Sequence, residues 1–361
     1  MTAPPATTTT PAATPAGLAP RDRAALLAVL LGVALVTLDS TVANTALPGI
    51  AADLRAAPAQ AIWVVNAYQL AMAACLLPCA ALGDRLGPRP VHLAGLLLYM
   101  AAALGSSLAG SLPMLAGTRA LQGVAAAAMM SVNIALIRSI FPPQHLGRGV
   151  GLNALVVGSF FAAGPTIASL VLSVAAWPWL FAITLPLALV SLLVAWPVLP
   201  RSAVRGHALD PLTALFTAVC FASLIGALST ATQRHPATVV LPLAALAVGA
   251  LLLLRRQAGH PAPMLPVDLL RRPMFTLSIC TAVAAFCTQG LAFVGLPFFF
   301  ETVLHRNPVQ TGFLMAPWAV VVALAAPIAG RLSDSHAPGL MGGIGLALLS
   351  AGMAGLALLP G

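Results

Sequence analysis

Apolar runs dominate this chain of 361 residues. Each is about as long as the roughly 20 residues a helix needs to cross the hydrocarbon core of a bilayer, which leaves the chain few ways to fold. Cutting at prolines, glycines and charge clusters places eleven of them, at 24–47, 61–82, 90–110, 113–137, 149–173, 178–198, 211–231, 237–254, 274–300, 309–330 and 339–359. Lipid offers a backbone no hydrogen bonds, so each run is expected to be a helix that closes its own. A closed barrel would show alternating polarity, and these runs do not alternate. With 60% of residues hydrophobic and 7% charged, there is too little polar surface for a water-soluble domain.

In a soluble protein the net charge of +9 would suggest a nucleic-acid partner, but here all 17 basic residues are arginine. Position accounts for the charge. With the N-terminus in the cytoplasm, thirteen fall in inside loops: Arg21, Arg23, Arg85, Arg89, Arg138, Arg148, Arg201, Arg205, Arg255, Arg256, Arg271, Arg272 and Arg331. Only Arg55, Arg234 and Arg306 fall outside, and Arg119 lies within a run. This asymmetry predicts a multi-pass membrane protein with a cytoplasmic N-terminus, in contact with lipid and not with nucleic acid. The absence of lysine beside abundant Ala, Leu, Pro and Gly points to a GC-rich bacterial genome, and so to a bacterial inner membrane. Residues 1–22 are largely a Thr/Pro/Ala-rich stretch, expected to be a disordered cytoplasmic tail. The five cysteines sit inside apolar runs as small hydrophobes, without the further ligands a metal site needs. The seven histidines fall at run ends or in loops and read as interfacial, as do Trp63, Trp177 and Trp179 near the outer boundaries.

An acid inside an apolar helix is costly and marks a transport pathway or a proton site. Asp39 is the one acid deep in a run. At 1.5 Å per residue it lies roughly 22 Å along the first helix. Arg119 enters the fourth run from the outside and reaches a similar depth, so the two are expected to pair. On a helical projection Thr37, Ser40, Thr41, Asn44 and Thr45 share one face, while Asp39 shares the other with Gly32, Ala43 and Ala46. One face then lines a cavity and the other contacts protein. Burial and Arg119 pull the protonation of Asp39 in opposite directions, which suits a coupling acid; the alternative is a static ion pair that orients two helices.

The second run ends in Gly83-Asp84-Arg85-Leu86-Gly87-Pro88-Arg89, where two glycines permit unusual backbone angles. The tenth ends similarly, in Gly330-Arg331-Leu332-Ser333-Asp334-Ser335. The repeat fits two parallel bundles, each with a second helix that closes on an acidic turn. Gly164-Pro165 in the fifth run is expected to bend that helix, for packing or for motion.

These motifs together resemble the major facilitator superfamily, and within it the fourteen-helix drug:proton antiporters of the EmrB/QacA type. Leu38-Asp39-Ser40-Thr41-Val42-Ala43-Asn44-Thr45-Ala46-Leu47-Pro48 looks like that family's opening motif. The turn at 83–89 looks like the superfamily signature, Arg119-Ala120-Leu121-Gln122-Gly123 like its R-x-x-Q-G motif, and Gly151 with Gly164-Pro165 like its antiporter motif. Pro88 stands where the signature turn usually has a basic residue, and Phe160, Ala168 and Ser169 replace glycines of the antiporter motif.

The resemblance implies an all-α membrane protein of the major facilitator fold, two parallel helical-bundle repeats with a two-helix insertion between them. Residues 23–200 would form the N-terminal six-helix bundle, 201–258 the inserted hairpin and 259–361 a partial C-terminal bundle of three helices, so the chain is expected to be truncated after helix eleven. Proton-coupled efflux of small lipophilic or cationic compounds would follow, powered by the proton gradient without a cofactor. Asp39, Asn44, Arg119 and Gln122 would serve coupling and substrate, Gly83, Asp84, Arg85, Gly87 and Arg89 a gating latch between the halves, and Gly164 and Pro165 the bend. The alternative is a transport-inactive scaffold of the same fold. Nothing in the sequence speaks for or against a periplasmic adaptor. An enzyme is disfavoured, since there is no H-E-x-x-H, no G-x-S-x-G and no paired acids within the runs.

Overall fold

The computed structural model describes residues 19–200, 211–230, 236–257, 271–305 and 308–357. Its helices are α1 (Pro20–Asp53), α2 (Pro58–Ala61), α3 (Trp63–Leu86), α4 (Pro88–Ser107), α5 (Leu112–Ile140), α6 (Leu146–Val174), α7 (Pro178–Ala182) and α8 (Thr184–Val198). There follow α9 (Pro211–Thr230), α10 (Pro236–Gln257), α11 (Pro273–Phe298), α12 (Pro308–Ser333) and α13 (Pro338–Ala357). Among the described residues there is no strand. Among the described residues eight helical segments are long and apolar enough to cross a membrane, and shorter apolar stretches at Leu215–Leu224, Pro242–Leu253 and Val320–Ser333 occupy the other three expected positions. The sixth run is broken at Ile183 into α7 and α8. Residues 201–210, 231–235 and 258–270, with Arg201, Arg205 and Arg234, lie outside the described residues, as do residues 1–18, 306–307 and 358–361.

Two boundaries of α1 differ from expectation. Pro20 occupies the first turn, where its missing N–H has no partner to lose. Residues 20–22 are therefore helical, not part of a disordered tail. At the other end the helix runs through Pro48 to Asp53 instead of stopping at Leu47. A proline frees a single carbonyl four residues back, and Ala46 and Ile50 on either side are buried in packing that holds the helix together.

Helix α1 lies at the centre, packed against α5, α6 and α8, while α3 and α4 both pack on α5. The apolar core has two levels. One includes Ala28, Leu35, Leu96, Ala125, Met129 and Leu136, and the other Val42, Ile50, Val64, Leu115, Trp177 and Phe181. The many small residues let helix axes approach closely, which supplies the van der Waals contact that replaces a hydrophobic driving force in lipid. Hydroxyls inside α1 bond their own backbone: Thr37 donates to the Val33 carbonyl at 2.8 Å and Thr41 to that of Leu38 at 2.8 Å. Helices α9 and α10 pair with each other, with α9 laid on α3, and α12 packs along α6.

Because α1, α4 and α6 start where α3, α5 and α8 end, one end of this bundle gathers Arg21, Arg85, Arg89, Arg138 and Arg148. Trp177, expected at the interface, is instead buried at the opposite end, where its indole N–H donates to Asp53 Oδ2 at 2.8 Å. His92 likewise departs from the interfacial reading. It is 1% exposed and packs against Gly32 of α1 and Met129 of α5.

Candidate functional site

Asp39 of α1 and Arg119 of α5 meet in the interior, with Arg119 Nη1 donating to Asp39 Oδ2 at 2.7 Å and both side chains wholly inaccessible. Two charges so removed from water are strongly penalised unless their remaining donors and acceptors are met. The surroundings meet several. Arg119 Nη1 also reaches Gln122 Oε1 at 3.0 Å, and its Nε donates to the Val64 carbonyl of α3 at 3.2 Å. The Ser106 hydroxyl of α4, 2.9 Å from Thr118 Oγ1 and 3.0 Å from Gln122 Oε1, fixes the amide from the other side.

Aromatic faces complete the enclosure. The guanidinium carbon lies 4.3 Å from the ring centroid of Tyr68 and 5.3 Å from that of Phe181, positions in which the ring quadrupoles favour a cation. The Tyr68 hydroxyl donates to the Val36 carbonyl of α1 at 3.3 Å, and Tyr99 of α4 lies beside the Asp39 carboxylate. Gly123 makes this possible. A β-carbon there would strike the Tyr68 carbonyl, so only glycine lets the α3 backbone come near enough to present Val64 and Tyr68 to Arg119. The site nevertheless keeps spare capacity, since Asp39 Oδ1, Arg119 Nη2 and Gln122 Nε2 are buried without a direct hydrogen bond. A proton arriving on Asp39 would weaken the pair, and Gln122, Val64 and the rings would keep holding the cation.

Asn44 is elsewhere. It is exposed on the other face of α1, with Ser40 and Thr45 partly covered beside it, so the structure does not bring it to the pair. Gly164 packs on α1, where a β-carbon would overlap the Thr41 hydroxyl. Pro165 stands inside α6, which remains one continuous helix.

At the arginine-rich end the signature turn takes a particular shape. Gly87 caps α3 and precedes α4 at φ 93°, a conformation that favours glycine. Gly83 is ordinary helix; its constraint is packing, since a β-carbon would lie 2.5 Å from Val132 Cγ1. Asp84 and Arg85 are exposed. Arg89 turns to α8, where its Nη2 donates to the Trp196 carbonyl. That carbonyl has no helical partner, because the residue four positions on, Pro200, lacks an N–H.

Where α12 packs along α6, the matching acid of the repeat makes the polar contact at one end. Asp334 Oδ1 accepts from the Gly147 N–H at 2.7 Å, at the start of α6, and Arg148 Nε lies 3.6 Å from Oδ2. A carboxylate there meets the unpaired N–H groups and positive end of the helix. Sequence repetition marked Asp334 but not its partner. Tyr68, Ser106 and Phe181 carried no signal, because an aromatic or hydroxyl residue in a membrane helix reads equally well as lipid-facing or packed.

The family model described as Major Facilitator Superfamily matches residues 29–361. The uncharacterized transporter YebQ of Escherichia coli is 45% identical over 344 residues, 94% of this chain and 75% of that protein. The multidrug efflux pump LfrA of Mycolicibacterium smegmatis is 30% identical over 359 residues, 96% of this chain and 68% of that protein. In fold, the chain resembles the crystal structure of the human organic anion transporter MFSD10, with a TM-score of 0.59 at 18% identity, over 89% of this chain and 74% of that one. A family match across nearly the whole chain, a relative at 45% identity and the all-helical architecture show that this protein belongs to the Major Facilitator Superfamily, as a multi-pass membrane transporter of the major facilitator fold.

Proposed function

We propose that the chain acts as a secondary active efflux transporter, exchanging protons for small lipophilic or cationic compounds across a bacterial inner membrane, with its N-terminus in the cytoplasm. The observation that carries this reading is the Asp39/Arg119 pair, fully enclosed yet with an unbonded carboxylate oxygen. Protonation of Asp39 removes the counter-ion, so Arg119 shifts toward Gln122 and the aromatic rings and α1 loosens from α5. Because Asn44 and Ser40 lie on the opposite face of the same helix, a displacement of α1 changes what a substrate meets there. Each proton entering down a 100 mV potential supplies about 2.3 kcal/mol, enough for roughly 50-fold accumulation of a neutral compound. The similarity to LfrA, a multidrug efflux pump, supports the export direction.

In this reading 23–200 is the N-terminal bundle, 201–258 an inserted hairpin and 259–361 the opening of a C-terminal bundle, in the manner of the fourteen-helix antiporters. The turn at Asp84 and Arg85 is a latch, exposed in the conformation seen, while its counterpart Asp334 is engaged. A static role for the ion pair, in a transport-inactive scaffold, is favoured by the aromatic and Gln122 contacts that hold Arg119 in one place.

Proteoliposomes containing the purified chain and a trapped pH indicator separate the two. With ethidium as probe, an imposed proton gradient should drive dye movement, and a dye gradient should move protons; Asp39→Asn should abolish both while the protein stays monodisperse. Undiminished proton-driven ethidium transport in Asp39→Asn would leave coupling through this acid without support.

A further inference from the structure

A cavity of about 370 Å³ opens at the arginine-rich end between the first turn of α1, the first turn of α4 and the last turn of α8, lined by Arg21, Arg89, Trp196 and Pro197. We propose that it binds a phosphate-bearing anion, and that the headgroup of an anionic phospholipid is the form in which the phosphate arrives. The Asp39/Arg119 pair does not line this cavity.

Four features point there. Both arginines sit in the first turn of a helix, so two positive helix ends accompany two fixed positive charges. Among the described residues neither Arg21 nor Arg89 has an ion-pair partner. Arg89 has five N–H donors and gives one through Nη2 to the Trp196 carbonyl; that bond orients the side chain, and its Nε is buried without a partner. The planar guanidinium is suited to two parallel bonds with phosphate oxygens.

The cavity volume lies within the range of small-ligand sites, ample for a phosphodiester. Lipid is favoured over free phosphate by what adjoins it. Trp196 is 59% exposed, and Leu189 and Leu193 continue the same apolar face of α8 at helical spacing, 44% and 64% exposed. An acyl chain can lie along that stripe with its headgroup at the arginines and the indole at the boundary, where indoles concentrate. Basic pockets between membrane helices on the anionic leaflet bind headgroups of this kind.

Nanodiscs of defined composition test it. The purified chain is reconstituted with phosphatidylcholine containing a few percent of brominated phosphatidylglycerol, whose bromines quench nearby indoles; a Trp196→Phe copy identifies the signal from that residue. Quenching of Trp196 should saturate at a lower fraction of brominated phosphatidylglycerol than of brominated phosphatidylcholine, and Arg21→Gln should raise the fraction required by about fivefold, the effect of one basic residue at an anionic leaflet. Arg55→Gln, at the far end of α1, should leave it unchanged. Arg89→Gln should match Arg21→Gln; if it fails to fold, Arg21→Gln still decides. In a second arm, inorganic phosphate is titrated onto the chain in detergent. Saturable, Arg21-dependent phosphate binding with no lipid preference would assign the site to a soluble anion. Lipid-selective quenching assigns it to the headgroup, and an absence of both, or an Arg21→Gln copy that behaves as the parent does, overturns the site.

Discussion

Removing both members of the Asp39/Arg119 pair should destabilise the chain about as much as removing either one alone. At 2.7 Å and an effective dielectric of about 20, the Coulomb attraction is about 6 kcal/mol. Much of that offsets the cost of drawing two ions out of water, so the net worth of the intact pair is small. The single substitutions do not benefit from this cancellation. Asp39→Asn leaves Arg119 charged and enclosed, with Gln122 Oε1, the Val64 carbonyl and two aromatic faces but no counter-ion. Arg119→Gln leaves a buried carboxylate beside Tyr99. Each should cost about 3–5 kcal/mol. The double variant Asp39→Asn/Arg119→Gln should cost about as much as one single, giving a coupling energy of about 3 kcal/mol or more. The measurement is reversible unfolding of the four purified proteins in mixed micelles with increasing SDS, followed by tryptophan fluorescence. A coupling below about 1 kcal/mol, the level of a solvent-exposed pair, would refute the claim that the two groups compensate each other out of water.

Gly164→Val should be destabilising by about 1–3 kcal/mol in the same assay, since its side chain must displace the Thr41 hydroxyl; combining it with Thr41→Ala should recover part of the loss. Asp334→Asn should weaken the seat of α12 on the start of α6 by about 1 kcal/mol, the scale of a carboxylate at a helix N-terminus, read as increased trypsin cleavage near Arg331 and Arg148 with no change in the Asp39/Arg119 coupling.

The parts of the molecule legible in sequence are those that lipid makes conspicuous. A run of apolar residues broken by arginine announces a helix and its ends, so the eleven positions found helices. One acid and one arginine inside those runs stood out because nothing else there is charged. The rest of the site was hidden for the same reason. Tyr68 and Phe181 are apolar letters among apolar letters, and a helix with similar residues all round gives no sign of which face meets protein. Hence His92, near a run end in sequence, has the look of an interfacial residue but is buried against Gly32, and Trp177 has that of a lipid anchor but bonds Asp53. Helix ends are ambiguous in sequence where proline serves opposite purposes. Pro20 opens α1, while Pro48 sits inside it, and the letter alone does not say which.

One continuous helix, α6, touches Asp334 at Gly147 and Thr41 at Gly164, two points roughly 25 Å apart at 1.5 Å per residue. Thr41 is two positions beyond Asp39. Helix α6 also meets α12 between these points, at Gly151 and Gly158, so a tilt of α6 that accompanies a displacement of α12 would press or relieve α1 a fraction of a turn from the buried acid. On the proposed mechanism, an opening of the arginine-rich end would in that way bear on the surroundings of Asp39.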